Sequence, residues 1–235
     1  MRCVAKTVLF FDVDNTLYDH EKAFENAMKD CFITLFRHRR HDVNRWFPLF
    51  KKNCDLYWEA YEKGSLTRSE YQHVRLEKSL IPLHLTATES LSRRFQQQYE
   101  QTLPQFISPF AGVHDFFERT HTDGQKIGII TNGSGVTQRR KLESLKVNRW
   151  IASELVIISG EVGTHKPDHR IFRIAAENIE TTNASYIYIG DSWKLDIVPS
   201  IEVGWDAVYL NTRGERPATS HKPLAQCRSF PEVSA

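Results

Sequence analysis

The sequence predicts an α/β protein, with a doubly wound, Rossmann-like parallel sheet as its core and an all-helical cap domain inserted into it. Three observations predict this. Short continuous apolar runs recur at residues 7–11, Lys126–Thr131, 154–158, 185–189 and Asp206–Leu210, the pattern of strands buried on both faces. Helical patterns at 136–145, 168–178 and 196–201 alternate with the later runs, as in a parallel sheet covered by helices. Between the first and second runs lies a long segment with several helix signals and no convincing strand.

Taken in order, the first run ends at Asp12, and the helical segment occupies residues 18–105. Within it, Trp46, Phe50, Cys54, Tyr57, Trp58 and Tyr61 share one face of a helix, and Gly64 stands where that helix would end. Thr67 with Glu70 and Thr86 with Glu89 match the capping box that opens a helix. Residues 1–17 and 106–235 would form the core. The tail after Asn211, with Pro217, Pro223 and Pro231, reads as loop.

Composition limits the function classes. The 235 residues are 40% hydrophobic and 26% charged, so a packed core is expected rather than disorder. Basic and acidic residues nearly cancel, leaving a formal charge of +2, and no nucleic-acid polymer is expected as partner. The apolar run Val8–Phe11 is far shorter than the ~20 residues of a membrane span and lacks the features of a signal peptide. Cys3, Cys31, Cys54 and Cys227 show no CxxC spacing and read as reduced and at least half-buried. A cytoplasmic chain is expected, either monomeric or homodimeric, with no membrane partner.

The chemistry-bearing residues fall at strand ends. Asp12-Val13-Asp14-Asn15-Thr16 follows the first strand, where open α/β sheets bind ligands. Two carboxylates so placed repel each other unless a cation lies between them; a helix-capping cluster with incidental acids is the plainer alternative. Thr131-Asn132-Gly133 follows the second core strand, Lys166-Pro167 lies in the connection after the third, and Gly190-Asp191-Ser192 follows the fourth, with Asp196 five residues on. Each piece alone is weak. Four polar pieces at four successive strand ends argue for one site.

This set, in this order, resembles the haloacid dehalogenase-like hydrolase superfamily over essentially the whole chain. The likeness is closest to the phosphatase branch with a helical cap, and within it to pyrimidine 5′-nucleotidase-like members, through IGIITNG, SGEVGTHKPDHRIF and IGDSWKLDI. The long interval from Thr16 to Thr131 has room for a cap, and that from Thr131 to Lys166 has none. The resemblance implies a Mg²⁺-dependent phosphomonoester hydrolase acting on a small-molecule phosphate ester, nucleoside 5′-monophosphates foremost. Asp12 would be the nucleophile that forms an aspartyl-phosphate, and Asp14 the acid and base. The carboxylates of Asp12 and Asp191 and the main-chain carbonyl of Asp14 would bind the metal. Lys166, Thr131 and the Asn132 amide would hold the phosphate, and Asp196 would orient Lys166 or a metal-bound water. Tyr18 and His20 are candidate substrate-cleft residues. One departure stands out: where the family commonly has G-A-x-x-A-G, this chain has PSIEVG from Pro199, and the proline would shift the start of that helix.

Alternatives within the resemblance are a sugar-phosphate or phosphoglycolate phosphatase and a phosphomutase. A dehalogenase is disfavoured because it needs no leaving-group acid such as Asp14. Outside it stand a phosphoacceptor signalling protein and an inactive binder. A receiver-type phosphoacceptor places its acidic pair and its acceptor on separate strands; here both acids follow strand one. An inactive binder is disfavoured because every expected acid is present. Gly133-Ser134-Gly135 is similar to a dinucleotide-binding turn, but Gln138 stands at the third glycine position. The basic run Arg37–His41 reads as a solvated loop, and His165 and His169, separated by Pro167, do not read as a metal pair. The aromatic stripe is most simply core, with stacking on a nucleobase as the sharper alternative.

Overall fold

A computed structural model describes residues 6–179 and 184–233. Six parallel strands form one sheet in the order β3-β2-β1-β4-β5-β6. They are β1 (Lys6–Phe11), β2 (Lys126–Thr131), β3 (Val156–Ile158), β4 (Ala184–Gly190), β5 (Asp206–Leu210) and β6 (Ala225–Cys227). Strand order reverses between β1 and β4, so their carboxyl ends flank the crevice where such sheets take ligands. The apolar runs form these strands because both faces are covered: Val8 to Phe11 and Ile127, Ile129 and Ile130 are all buried.

Between β1 and β2 the chain is helical, with α1 (His20–Leu35), α2 (Val43–Glu62), α3 (Arg68–Leu80), α4 (Glu89–Thr102) and α5 (Val113–Thr122). The contacts divide the chain into two units, Glu21–Phe106 and the remainder. In the helical unit, Trp46, Phe50 and Cys54 are buried, and Trp46 stacks 4.6 Å from Phe32 while its Nε1 donates to Ser79 Oγ at 2.9 Å. This half of the aromatic stripe is therefore core. Further along the same helix the stripe surfaces, with Trp58 46% exposed. Gly64 follows α2 at φ +73°, a conformation that favours glycine.

Thr67 opens α3 with the full reciprocal capping box. The second expected box is not formed. Thr88, not Thr86, caps α4, its hydroxyl accepting from the Leu91 N–H at 3.2 Å. An S/T-x-x-E match places a box only when its threonine is the last non-helical residue, and here the helix starts two residues later.

The sheet unit continues with α6 (Gly135–Leu145), α7 (Ser159–Val162), α8 (Arg170–Glu177), α9 (Val198–Glu202) and α10 (Phe230–Val233). A π-helical turn, Trp193–Ile197, precedes α9, and Pro199 lies in α9's first turn, where its missing N–H costs least. The tail is more than loop. β6 extends the sheet beside β5, and Phe230 of α10 packs 6.3 Å from Phe11. Three residues of strand without apolar alternation carry no readable signal. The helix α5 also went unread, although Val113 and Phe117 mark its buried face. Cys31, Cys54 and Cys227 are buried free thiols, and Cys3 lies outside the described residues. Among the described residues no helix is long and apolar enough to cross a membrane.

Replacing Thr67 with Ala should cost about 1 kcal/mol in urea unfolding, whereas Thr86→Ala, at an exposed position without a cap, should stay within about 0.5 kcal/mol. Equal losses would contradict the capping assignment.

Candidate active site

Asp12 is the first residue past β1, and its N–H still donates to Ile189 O of β4 at 3.0 Å. The ladder therefore continues one residue beyond the strand and fixes Asp12 at the crevice. The chain then turns sharply. Leu17 N–H donates to Val13 O at 3.0 Å, and Asn15 takes φ +57°, a left-handed conformation that Asn tolerates better than most residues. Asn15 Oδ1 accepts from His20 N–H at 3.0 Å, tying the turn to the start of α1.

Lys166 lies 3% exposed beneath this corner. Its Nζ donates to Asp12 Oδ1 at 2.7 Å, Asp196 Oδ1 at 2.6 Å and Tyr188 Oη at 2.9 Å. Burial alone would lower the lysine, but the carboxylates of Asp12 and Asp196 hold its pKa well above the ordinary value. Both carboxylates thus favour the ammonium form. Asn132 fixes the lysine's backbone: its side-chain amide donates to Lys166 O and accepts from Lys166 N–H, both at 2.9 Å. The Asn132 side chain is engaged in this clasp, so of its two amides only the main-chain N–H is left for a phosphate. Thr131, the last residue of β2, is buried beside it in the chain.

Asp12, Asp191 and Asp196 are all buried, and each offers an oxygen within 4.8 Å of the others. Burial, joined by the neighbouring carboxylates of Asp196 and Asp14 and opposed by Lys166, pushes the Asp12 pKa up to about 6. Burial and the charges of Asp196 and Asp12 push Asp191 up to about 8, against the pull of Arg213. Three carboxylates face two cations, Lys166 and Arg213. Hard oxygen donors in excess of local positive charge fit a divalent cation such as Mg²⁺. Asp196 is the least available of the three, because Lys166 occupies Oδ1 and the Ser192 N–H donates to Oδ2 at 2.9 Å. Gly190 makes room for it: a Cβ there would fall 2.5 Å from Asp196 Cγ.

Asp14 lives in the opposite environment. Lys141 Nζ of α6 donates to both its oxygens, at 2.8 and 2.6 Å, Tyr18 Oη donates to Oδ1 at 2.7 Å, and Gln138 Nε2 reaches Oδ2 at 3.3 Å. His20 Nδ1 lies 2.9 Å from Tyr18 Oη and 3.5 Å from Asp14 Oδ1. Burial would raise the Asp14 pKa, but His20 and Lys141 overcome it and hold the carboxyl well below the usual range. Tyr18, a candidate cleft residue, is fully buried and works as a donor to Asp14; His20 is half-buried beside it. His169 pairs with Glu202 at 2.8 Å and His165 is exposed.

Sequence reasoning missed Lys141, Gln138, Tyr188 and Arg213. Gln138 and Lys141 share the buried face of α6 with Leu142 and Leu145, so polar residues at core positions of an amphipathic helix were the available signal. Tyr188 is an inward residue of an apolar strand, and Arg213, whose Nη2 donates to Asp191 Oδ2 at 2.8 Å, sits in the tail segment.

Residues 9–209 match the model of the haloacid dehalogenase-like hydrolase family. The chain belongs to that family. It is 27% identical to a pyrimidine 5′-nucleotidase of Escherichia coli over 96% of this chain and 95% of the relative. It is 26% identical to a glyceraldehyde 3-phosphate phosphatase of Methanothermobacter thermautotrophicus over 87% and 85%. Its fold matches that of the Bacillus subtilis HAD-hydrolase YfnB, solved bound to magnesium, with TM-score 0.79 at 24% identity over 98% and 97% of the two chains.

The raised pKa values give a pH signature. An unfolded aspartate titrates near 3.8, so between about pH 4 and 8 the metal-free fold holds protons that the unfolded chain has lost. The metal-free protein should therefore lose stability as pH rises through that window. Mg²⁺ requires the deprotonated ligands, so the increase in melting temperature it produces should grow from pH 5 to 8. At a hundred times its Kd the ion contributes about 2.7 kcal/mol. Asp191→Asn should abolish the Mg²⁺-dependent shift, as thermal melts with and without the ion would read.

Proposed function

We propose that this hydrolase is a Mg²⁺-dependent phosphomonoesterase of the inserted-cap branch that acts through an aspartyl-phosphate on Asp12, with nucleoside 5′-monophosphates as substrates. The observation that carries the reading is the pair of carboxylates two residues apart in opposite environments. Asp12 sits on the Lys166 ammonium at the crevice, and Asp14 is held apart by donors from α6 and the following turn. Two titratable groups driven in opposite directions are the signature of divided roles.

Asp12 attacks phosphorus through a carboxylate oxygen. As that O–P bond forms, the bond to the ester oxygen breaks, and its electron pair leaves on that oxygen, which takes a proton from Asp14. Water then attacks the phosphorus and gives a proton to Asp14. The phosphorus bond to Asp12 breaks, the electron pair returns to the carboxylate, and inorganic phosphate is released. Lys166, the Thr131 hydroxyl and the Asn132 main-chain N–H hold the transferring oxygens. Mg²⁺, held by Asp12, Asp191 and the Asp14 carbonyl, would offset the repulsion between the carboxylate and the phosphate. The resting Asp14 is a carboxylate, the form required for the second step; a phosphate dianion placed beside it raises its pKa and favours the proton required for the first.

The nucleotide assignment is supported by the Escherichia coli relative, which aligns end to end, and by IGIITNG and the residues around Lys166. The archaeal relative supports a small sugar phosphate as the second reading. Phosphate release from UMP, dUMP, dTMP, AMP, phosphoglycolate and glyceraldehyde 3-phosphate, with and without Mg²⁺, separates them. A Mg²⁺-dependent preference for pyrimidine nucleotides is expected. Preference for the sugar phosphate would replace the substrate and keep the mechanism.

Asp12→Asn should remove turnover, at least 10⁴-fold, while leaving the protein folded and phosphate binding largely intact; retained turnover would eliminate the nucleophile assignment. Asp14→Asn should lower kcat/KM, which reports formation of the aspartyl-phosphate, about 100-fold or more on UMP and far less on p-nitrophenyl phosphate, because nitrophenolate leaves with little protonation. Equal losses of kcat/KM on both esters would remove the acid role.

A further inference from the structure

Lys141 is a buried cation that neither the family motifs nor the phosphate site uses. It stands on α6, its side chain 5% exposed, and spans both oxygens of Asp14 at 2.8 and 2.6 Å. Gln138, one turn earlier on the same face, adds a donor to Oδ2 and a second to Asn132 O at 2.9 Å. Lys141, Gln138 and Tyr18 all donate to this carboxylate, and one of these hydrogen bonds must be released when it takes a proton. The carboxylate's position and plane are thus set by α6, a rigid element, although Asp14 belongs to a turn. An ammonium spanning two oxygens from a packed helix face is a costly arrangement to bury unless the carboxylate's placement matters.

We propose that Lys141 is a positioning residue for the acid and base step: it anchors Asp14 at the crevice and acts on the reaction only through that carboxylate. The proposal rests on the phosphatase reading above. Lys141 is not a phosphate ligand in it. A phosphate-binding cation would act on all esters alike, chiefly through KM. An anchor for Asp14 acts on the step that expels the leaving oxygen, in proportion to how much that oxygen needs a proton.

The test is a double-mutant cycle of Lys141→Met and Asp14→Asn, read as kcat and KM on UMP and p-nitrophenyl phosphate with Mg²⁺. Lys141→Met should lower kcat/KM on UMP by about 10- to 100-fold and on p-nitrophenyl phosphate by less than about threefold. The double variant should fall within about threefold of Asp14→Asn alone, because Lys141 has nothing left to position. Lys141→Arg, which keeps the charge and two donors, should restore most of the UMP rate. Multiplying losses in the cycle or equal losses of kcat/KM on both esters would each overturn the positioning role while leaving the phosphatase reading intact. If Lys141→Met does not fold, Gln138→Leu carries the same ratio test, with the same direction and a smaller effect expected. Wild-type protein inactive on every ester would overturn the function and the positioning role together.

Discussion

The ammonium of Lys166 is the interaction on which the site depends. It is buried where strand order reverses, and it joins three parts of the chain: Asp12 after β1, Asp196 in the π-helical turn after β4, and Tyr188 within β4. An isolated buried cation or carboxylate is strongly disfavoured, so each of these groups is stable only in the presence of the others. Removing Lys166 would leave Asp12 and Asp196 buried and facing one another. The surrounding architecture follows from keeping it in place: the Asn132 clasp fixes its backbone, Tyr188 is held by Ile130 O, and Gly190 leaves room for Asp196. The sheet order supplies the crevice, but this small network decides which atoms face it.

Much of this was legible in the sequence because the relevant signals are local. A buried parallel strand is a continuous apolar run, and an acid immediately after it must lie at the sheet's carboxyl edge. That places Asp12, Thr131 and Asp191 without any knowledge of packing. The helical insert was legible for the same reason, through α2's periodicity and the Thr67 capping box. What escaped had a weak local signature or none. Arg213 reaches Asp191 from a segment without periodicity, and β6 is three residues long. Lys141 and Gln138 carried only the weak signal of polar residues on the apolar face of α6. The Thr86 box failed differently: the pattern was present, but the neighbouring Thr88 made the better cap.

The tyrosine at position 18 shows how a correct neighbourhood can hide a different role. Proximity to the nucleophile loop suggested a residue facing substrate. In the folded chain its ring is fully buried and its hydroxyl is spent on Asp14, with His20 at its back. A hydroxyl donating to a carboxylate stabilises the charged form, so Tyr18 works in the same direction as Lys141.

The contrast between Asp12 and Asp14 gives the site its direction. Both are aspartates of one turn, yet burial among like charges raises Asp12 and Asp191, while a lysine and a histidine lower Asp14. A group that attacks phosphorus must be held near a cation that can also neutralise the incoming phosphate. In the proposed mechanism Lys166 would do this for Asp12. A group that shuttles a proton must instead be sensitive to the charge that arrives with substrate, and a carboxylate fixed beside the crevice but paired outside it has that property. A single ammonium bridging both aspartates would have made their responses rise and fall together. In the proposed mechanism, two lysines on separate elements, Lys166 after β3 and Lys141 on α6, would let one carboxylate serve as nucleophile while the other exchanges protons.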